Sequence, residues 1–238
     1  MDVTTDGNNL NGTIPHELES LGPSLEEISF FGNHLYGTVP ERLGQLSGLE
    51  YLQLASNALT GSIPVSFSQL VSLKFINTRF NQLEGTIPSG LTELEALEHF
   101  DLSSNLLTGT IPEFSAVNIP SDLKYVSLFS NNLHGRIPES LFHLPKLEAI
   151  ILADNILSGT IPSVLGEFSS LLLILLWHDN TLEGPLPTTI GNTGWYQGDR
   201  EASNTEPRRE ISVPFVTVDR ENSIDVIFKK LVWISRSA

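Results

Sequence analysis

Apolar residues recur along this chain in short runs of the form LxxLxLxx, separated by polar positions. The runs are LEEISFFGN from Leu25, LEYLQLASN from Leu49, LKFINTRFN from Leu73, LEHFDLSSN from Leu97, LKYVSLFSN from Leu123, LEAIILADN from Leu147 and LLILLWHDN from Leu172. Alternation within each run predicts a short strand with one face turned into a core and the intervening side chains turned out. Each run closes on an asparagine that opens a second pattern: Asn, any residue, Leu, any, Gly, any, Ile/Val/Leu, Pro. This pattern stands at Asn8, Asn33, Asn57, Asn81, Asn105, Asn131, Asn155 and Asn180, with successive asparagines 25, 24, 24, 24, 26, 24 and 25 residues apart. Self-similarity at this period marks stacked supersecondary units, so the strands are expected to align as one parallel sheet of a solenoid. At the strand exit, a short amide can bond backbone groups that the turn leaves unpaired. The recurring glycine suits a positive φ or a close backbone approach, and the proline fixes φ and stops the pairing.

The frame assigns residues 1–192 to one partial and seven full units of about 24 residues. Counting back from Asn8 puts Val3 and Thr5 on a strand, and the first leucine of that unit would precede Met1. An array starting this way exposes an unpaired strand edge, so the chain reads as an N-terminally truncated fragment or the product of an imperfect gene model. The unit between Pro112 and Leu123 is two residues longer than its neighbours through EFSAVNIPSD, which predicts a bulge on the outer face. Thr78 stands where its strand should carry an inward leucine, and Trp177 fills the equivalent place in the last strand. After Asn192 the frame stops. Residues 193–238 read as a polar linker and a C-terminal tail, with a strand over Ile211–Val218 and a strand or short helix over Ile224–Ile234 that could cap the open end.

The full frame, LxxLxLxxNxLxGxIPxxLxxL, resembles the plant-type leucine-rich repeat of receptor-like kinases, receptor-like proteins and polygalacturonase-inhibiting proteins. The resemblance covers residues 1 to about 192 and repeats in eight units. It implies an α/β solenoid of right-handed hand, a concave parallel β-sheet that binds ligands, short 3₁₀ or irregular convex segments, and a second short sheet near GxIP. The chain departs from that family's pattern in carrying no cysteine for paired caps.

Composition narrows the function classes. With no cysteine, disulfides and thiolate metal sites are excluded, and six scattered histidines show no metal-ligand spacing, so no cofactor is expected. The formal charge of −15 is placed unevenly: residues 1–192 hold 21 acidic and 6 basic side chains, and residues 193–238 hold 7 of each. An acidic array repels phosphate backbones and anionic headgroups, which argues against nucleic acid as a partner. No apolar run approaches the length of a membrane span, so no membrane insertion is expected of this chain. The start MDVTTDGNN lacks the basic and apolar regions of a secretory leader. The compartment is therefore extracellular or membrane-associated if a leader precedes Met1, and cytoplasmic otherwise.

The frame leaves three outward positions free on each strand. The first reads Glu27, Tyr51, Phe75, His99, Tyr125, Ala149, Ile174; the second reads Ser29, Gln53, Asn77, Asp101, Ser127, Ile151, Leu176; the third reads Phe31, Ala55, Arg79, Ser103, Phe129, Ala153, His178. Strands about 4.8 Å apart would bring Tyr51, Phe75, His99 and Tyr125 into one ladder, flanked by Gln53, Asn77, Asp101 and Arg79. Exposed aromatics ringed by polar groups have the composition of a binding hot spot, so these residues with Glu27, Phe31 and Phe129 are the candidate ligand-binding set. Tyrosine and phenylalanine are equally the residues that pack well across strands. At the far end Ala149, Ile151, Ile174 and Leu176 predict an apolar patch, which the tail would cover. His99 beside Asp101 lacks a nucleophile or phosphate loop, so no enzyme is expected. The position before each Ile/Val/Leu-Pro reads Thr13, Thr38, Ser62, Thr86, Thr110, Arg136, Thr160, Pro185, a hydroxyl row that an ice- or carbohydrate-binding solenoid would use. Asn11 lies in the glycosylation sequon NGT. The residues point to a non-catalytic module binding a protein or peptide on its concave face, within a receptor-like or inhibitor-like protein. A stand-alone intracellular scaffold is the alternative.

Overall fold

The computed structural model describes residues 1–114, 116–167, 174–185, 210–218 and 224–232, with backbone alone for 166–167, 174–176 and the last two stretches. Eight parallel strands, one per unit, form a single sheet in sequence order: Asp2–Thr4, Glu27–Ser29, Tyr51–Gln53, Phe75–Asn77, His99–Asp101, Tyr125–Ser127, Ala149–Ile151 and Ile174–Leu176. The register holds from strand to strand, so Glu27, Tyr51, Phe75, His99, Tyr125, Ala149 and Ile174 pair in one line across the sheet. Register is fixed because the central residues Ile28, Leu52, Ile76, Phe100, Val126 and Ile150 are all buried, and a slip of one residue would turn them out. The first strand contains Val3, which packs on the core, and ends at Thr4; Thr5 follows it and donates its N–H to Ser29 O at 2.8 Å.

Each coil then turns into a second parallel sheet, as the resemblance implied. Its strands Asn11–Gly12, His34–Thr38, Ala58–Ser62, Gln82–Thr86 and Leu106–Thr108 form one group, and His134–Gly135, Ile156–Thr160 and Thr181–Glu183 another. Asn132 N–H to Leu107 O and His134 N–H to Gly109 O, both 2.8 Å, join the two groups. After the frame proline the chain returns through short 3₁₀-helices: His16–Ser24, Glu41–Gln45, Val65–Gln69, Ser89–Glu93, Glu139–His143 and Ser163–Glu167. They carry buried Leu43, Phe67, Leu91 and Leu141 into the same continuous core. The long unit has no helix among its described residues between Pro112 and Leu123; Val117 there is 87% exposed while Phe114 is buried. The expected outer bulge is therefore observed.

The frame asparagines form a ladder through the coil. Asn105 is representative: Nδ2 donates to Thr78 O of the preceding coil at 3.0 Å and to Leu102 O and Ser103 O at 3.1 Å, and Oδ1 accepts from Leu83 N–H at 3.0 Å. The same pattern recurs at Asn57, Asn81, Asn131, Asn155 and Asn180. The frame glycine answers two demands at once. Gly109 has φ +80°, and a Cβ there would sit 2.8 Å from Thr86 Cγ2 of the preceding coil. Thr78 is buried in place of its leucine, its hydroxyl without a partner, and Trp177 packs against the core at the last strand.

The tail forms an antiparallel pair, Glu210–Val218 with Ile224–Val232, and Pro214 stands opposite Phe228. This decides for strand over helix in the second segment. The first of the two lies beside the strand Ile174–Leu176. The linker expected over residues 193–209 falls outside the described residues.

Candidate functional site

The shared register sets the first outward column shoulder to shoulder. Tyr51 and Phe75 stack with ring centroids 4.1 Å apart and planes 10° from parallel. Phe75 and His99 follow at 4.4 Å and 12°, and His99 and Tyr125 at 4.4 Å and 1°. The four rings thus form one continuous stack at the strand spacing, each contact worth about 0.5–1.5 kcal/mol. All four side chains are half-buried. The ring faces between Tyr51 and Tyr125 cover one another, so along this stretch the ring edges are what the stack leaves open. Glu27 stands at one end of the line, and at the other Tyr125 packs on the buried pair Ile151 and Ala153.

The second column departs from expectation. Gln53, Asn77 and Asp101 are buried, with Asp101 only 2% exposed, where free outward polar groups were predicted. Each accepts a hydrogen bond from the backbone two residues on: Gln53 Oε1 from Ala55 N–H at 3.1 Å, Asn77 Oδ1 from Arg79 N–H at 3.0 Å, and Asp101 Oδ1 from Ser103 N–H at 3.0 Å. Ser103 Oγ–H adds a bond of 2.6 Å to the same oxygen. The physical reason is crowding: on strands this close, the ring column on one side and the strand exit on the other shut the middle column from water, and turn N–H groups claim its oxygens. Ala149 and Ile151 are buried too, so they do not form the exposed apolar patch predicted; the side chains of Ile174 and Leu176 lie outside the described residues.

In the third column Phe31 and Arg79 are half-buried, Phe129 is exposed, and Ala55 and Ser103 are buried. Arg79 lies over the ring of Phe80, its guanidinium carbon 5.3 Å from the centroid. Phe80 escaped the sequence reading. The position before each frame asparagine reads Gly7, Gly32, Ser56, Phe80, Ser104, Ser130, Asp154 and Asp179, all with positive φ, and a phenylalanine at φ 54° is the misfit that could have drawn notice. Its ring is 54% exposed.

Burial and, second, the charge of Arg79 push the His99 imidazole down to about 4, so it is neutral at physiological pH. Burial raises both tyrosines, Tyr125 strongly, with nearby Asp101 adding to the effect there. Burial likewise raises Asp101, against the lowering bonds from Ser103. The four rings are therefore uncharged at physiological pH, with Glu27 at one end of their line and Arg79 at its margin. Asp101 is engaged by Ser103, and among the described residues no bond links it to His99. No cluster of three His, Asp or Glu able to hold a metal occurs there either.

Thr38, Ser62, Thr86 and Thr160 end strands of the second sheet, Thr13 and Thr110 lie just past its strand ends, and all six are exposed; Arg136 takes the equivalent place in its unit.

Two family models, both described as leucine rich repeat, match residues 23–83 and residues 96–116 with 122–144. The chain is a plant-type leucine-rich-repeat protein. Among solved structures, it is 36% identical over 81% of its length to the repeat ectodomain of the Arabidopsis thaliana membrane receptor kinase GASSHO1/SCHENGEN3, crystallised with CASPARIAN STRIP INTEGRITY FACTOR 2, at a TM-score of 0.77. The plant peptide hormone receptor RGFR1 in complex with RGF2 matches at 35% identity over 81% of this chain, also with a TM-score of 0.77. A plant ice-binding protein matches at 29% identity over 80% of this chain and 60% of its own, at a TM-score of 0.70. This leucine-rich-repeat chain spans 23% and 30% of the two receptor chains. No curated protein sequence matches it. No helix among the described residues is long and apolar enough to cross a membrane.

Proposed function

We propose that this repeat array is a non-catalytic binding module that takes a peptide or an extended protein segment across its concave sheet, as part of a receptor-like protein. The ring ladder of Tyr51, Phe75, His99 and Tyr125 carries this reading. Its side chains are locked by their own stacking, so a ligand that meets them imposes little extra ordering cost. Its internal ring faces are covered by one another, which disfavours a sugar along the stack, since sugars pack on ring faces. Its edges are positively polarised and suit the carbonyls of an extended backbone. Two of the structural relatives are receptors in complex with a named partner, one of them named as a peptide hormone receptor, which supports the same reading.

Selection from a synthetic peptide library with free C termini, against the intact chain and against Y51A/F75A/Y125A, tests it. Wild type should enrich binders, and the triple variant should lose them while keeping its circular dichroism spectrum. Binders indifferent to the triple substitution would refute the proposal.

A second reading places an ice-facing surface on the hydroxyl row, favoured by the likeness to a plant ice-binding protein. Thermal hysteresis that disappears in T38V/T86V would establish it; freezing behaviour equal to a neutral control would exclude it.

A further inference from the structure

We propose that Asn11 is an N-glycosylation site, and that Tyr36 of the next coil is the platform on which its first sugar packs. This rests on the receptor-like part of the reading above, which takes the chain through the secretory route, and not on what the concave face binds. Asn11-Gly12-Thr13 is the only Asn-x-Ser/Thr sequence in the chain. The frame accounts for that: every frame asparagine is followed two places on by leucine, so the asparagines that hold the coil are never acceptors. Asn11 stands outside the frame position and is free for a different use.

The fold presents this triplet outward. Asn11 opens the strand Asn11–Gly12 of the second sheet, and both Asn11 and Thr13 are exposed. The backbone on either side is fixed: Leu10 N–H bonds to Asn33 Oδ1 at 3.0 Å, His34 N–H to Leu10 O at 2.8 Å, and Ile14 is buried in the core. Frame Asn33 spends its amide on four backbone partners, whereas among the described residues neither Asn11 nor Thr13 makes a side-chain hydrogen bond. A Cβ at Gly12 would meet nothing within 4 Å, so nothing crowds the middle of the triplet. Asn11 pairs with His34 and Gly12 with Leu35, which sets Tyr36 one strand over and two residues on from Asn11, about 8 Å away. Tyr36 is 52% exposed, and alternation on its strand turns it to the same open face as His34. A ring there suits the C–H face of a sugar. Transfer needs one co-reactant, a lipid-linked oligosaccharide pyrophosphate. Asn11 Nδ2 bonds the anomeric carbon of the first N-acetylglucosamine and loses a proton; the carbon–oxygen bond to the pyrophosphate breaks, and the lipid pyrophosphate leaves with the electron pair. Nothing is oxidised or reduced. The sugar would stand beside Thr13 at the head of the hydroxyl row, on a different sheet from the ring ladder.

The experiment sends the intact chain, behind a cleavable secretory leader, through the endoplasmic reticulum of plant cells. Wild type should gain a single glycan, read as a mass shift that an N-glycanase removes, and release in heavy-oxygen water should leave a mass tag at position 11. N11Q and T13V should each lose the shift completely, and T13S should keep it. Trimmed to its first N-acetylglucosamine, wild type should melt above N11Q, and Y36A should abolish that difference when compared with N11Q/Y36A. Secreted wild type without a glycan, or a shift that survives in N11Q or T13V, overturns the site. A melting difference as large in Y36A as in wild type overturns the platform role of Tyr36. Neither result bears on peptide binding, which the library selection tests separately.

Discussion

Two ladders run side by side through this solenoid, each built from one residue per coil at one pitch. In the asparagine ladder every polar atom is consumed: Asn105 alone satisfies three carbonyls and one N–H, and all of it is buried. In the ring ladder the contacts are made between side chains, and the edges remain open. The first ladder tolerates no change of residue type and so repeats. The second constrains only shape and stacking, so its members vary: tyrosine, phenylalanine, histidine, tyrosine. Identity from coil to coil marks what holds this fold, and variation under constant geometry marks what can choose a partner.

Breaking the inner ladder should have the largest effect. Asn105→Ala leaves Leu83 N–H and the Thr78, Leu102 and Ser103 carbonyls short of partners in a buried setting, and should cost about 3 kcal/mol in a denaturant titration. Gly109→Ala should cost about 2 kcal/mol, combining an unfavourable φ with a clash against Thr86 Cγ2. Adding Thr86→Ser removes that methyl and should restore part of the loss, separating space from φ. The ring ladder should respond to pH instead. His99 has its folded value depressed from 6.5 to about 4, so folding disfavours its protonation. The stability cost is absent above about 6.5 and grows as pH falls toward 4. Asp101, raised by burial, acts in the opposite sense near its own range. His99→Gln should therefore flatten the fall in melting temperature between pH 6.5 and 4. Smallest of all, Lys74→Ala removes an exposed pair with Glu50 and should leave the melting temperature at pH 7 within error.

Most of the fold was legible because the frame states its own geometry. A 24-residue period, an amide at each strand exit and a glycine before Ile-Pro left little freedom in strand placement, and the ring stack followed from the register. The burial of Gln53, Asn77 and Asp101 was not legible. Alternation says which side of the sheet a residue faces, but not whether its neighbours close over it, and on a three-residue strand the turn N–H groups lie within reach of any acceptor. Phe80 was hidden for a related reason: nothing in its own run of residues announces a left-handed backbone, and only comparison down the column reveals it.

The long unit carries a lesson in tolerance. Although two extra residues enter between Pro112 and Leu123, Asn131 still bonds Leu102 O at 3.1 Å and receives Leu107 N–H at 3.0 Å, as its counterparts do. The outer arc can thus change length while the inner arc keeps phase. For anyone wishing to attach a dye, an affinity tag or a whole guest domain, the exposed arc around Val117 is the natural splice point, because cargo added there leaves the strand spacing of the concave sheet unaltered.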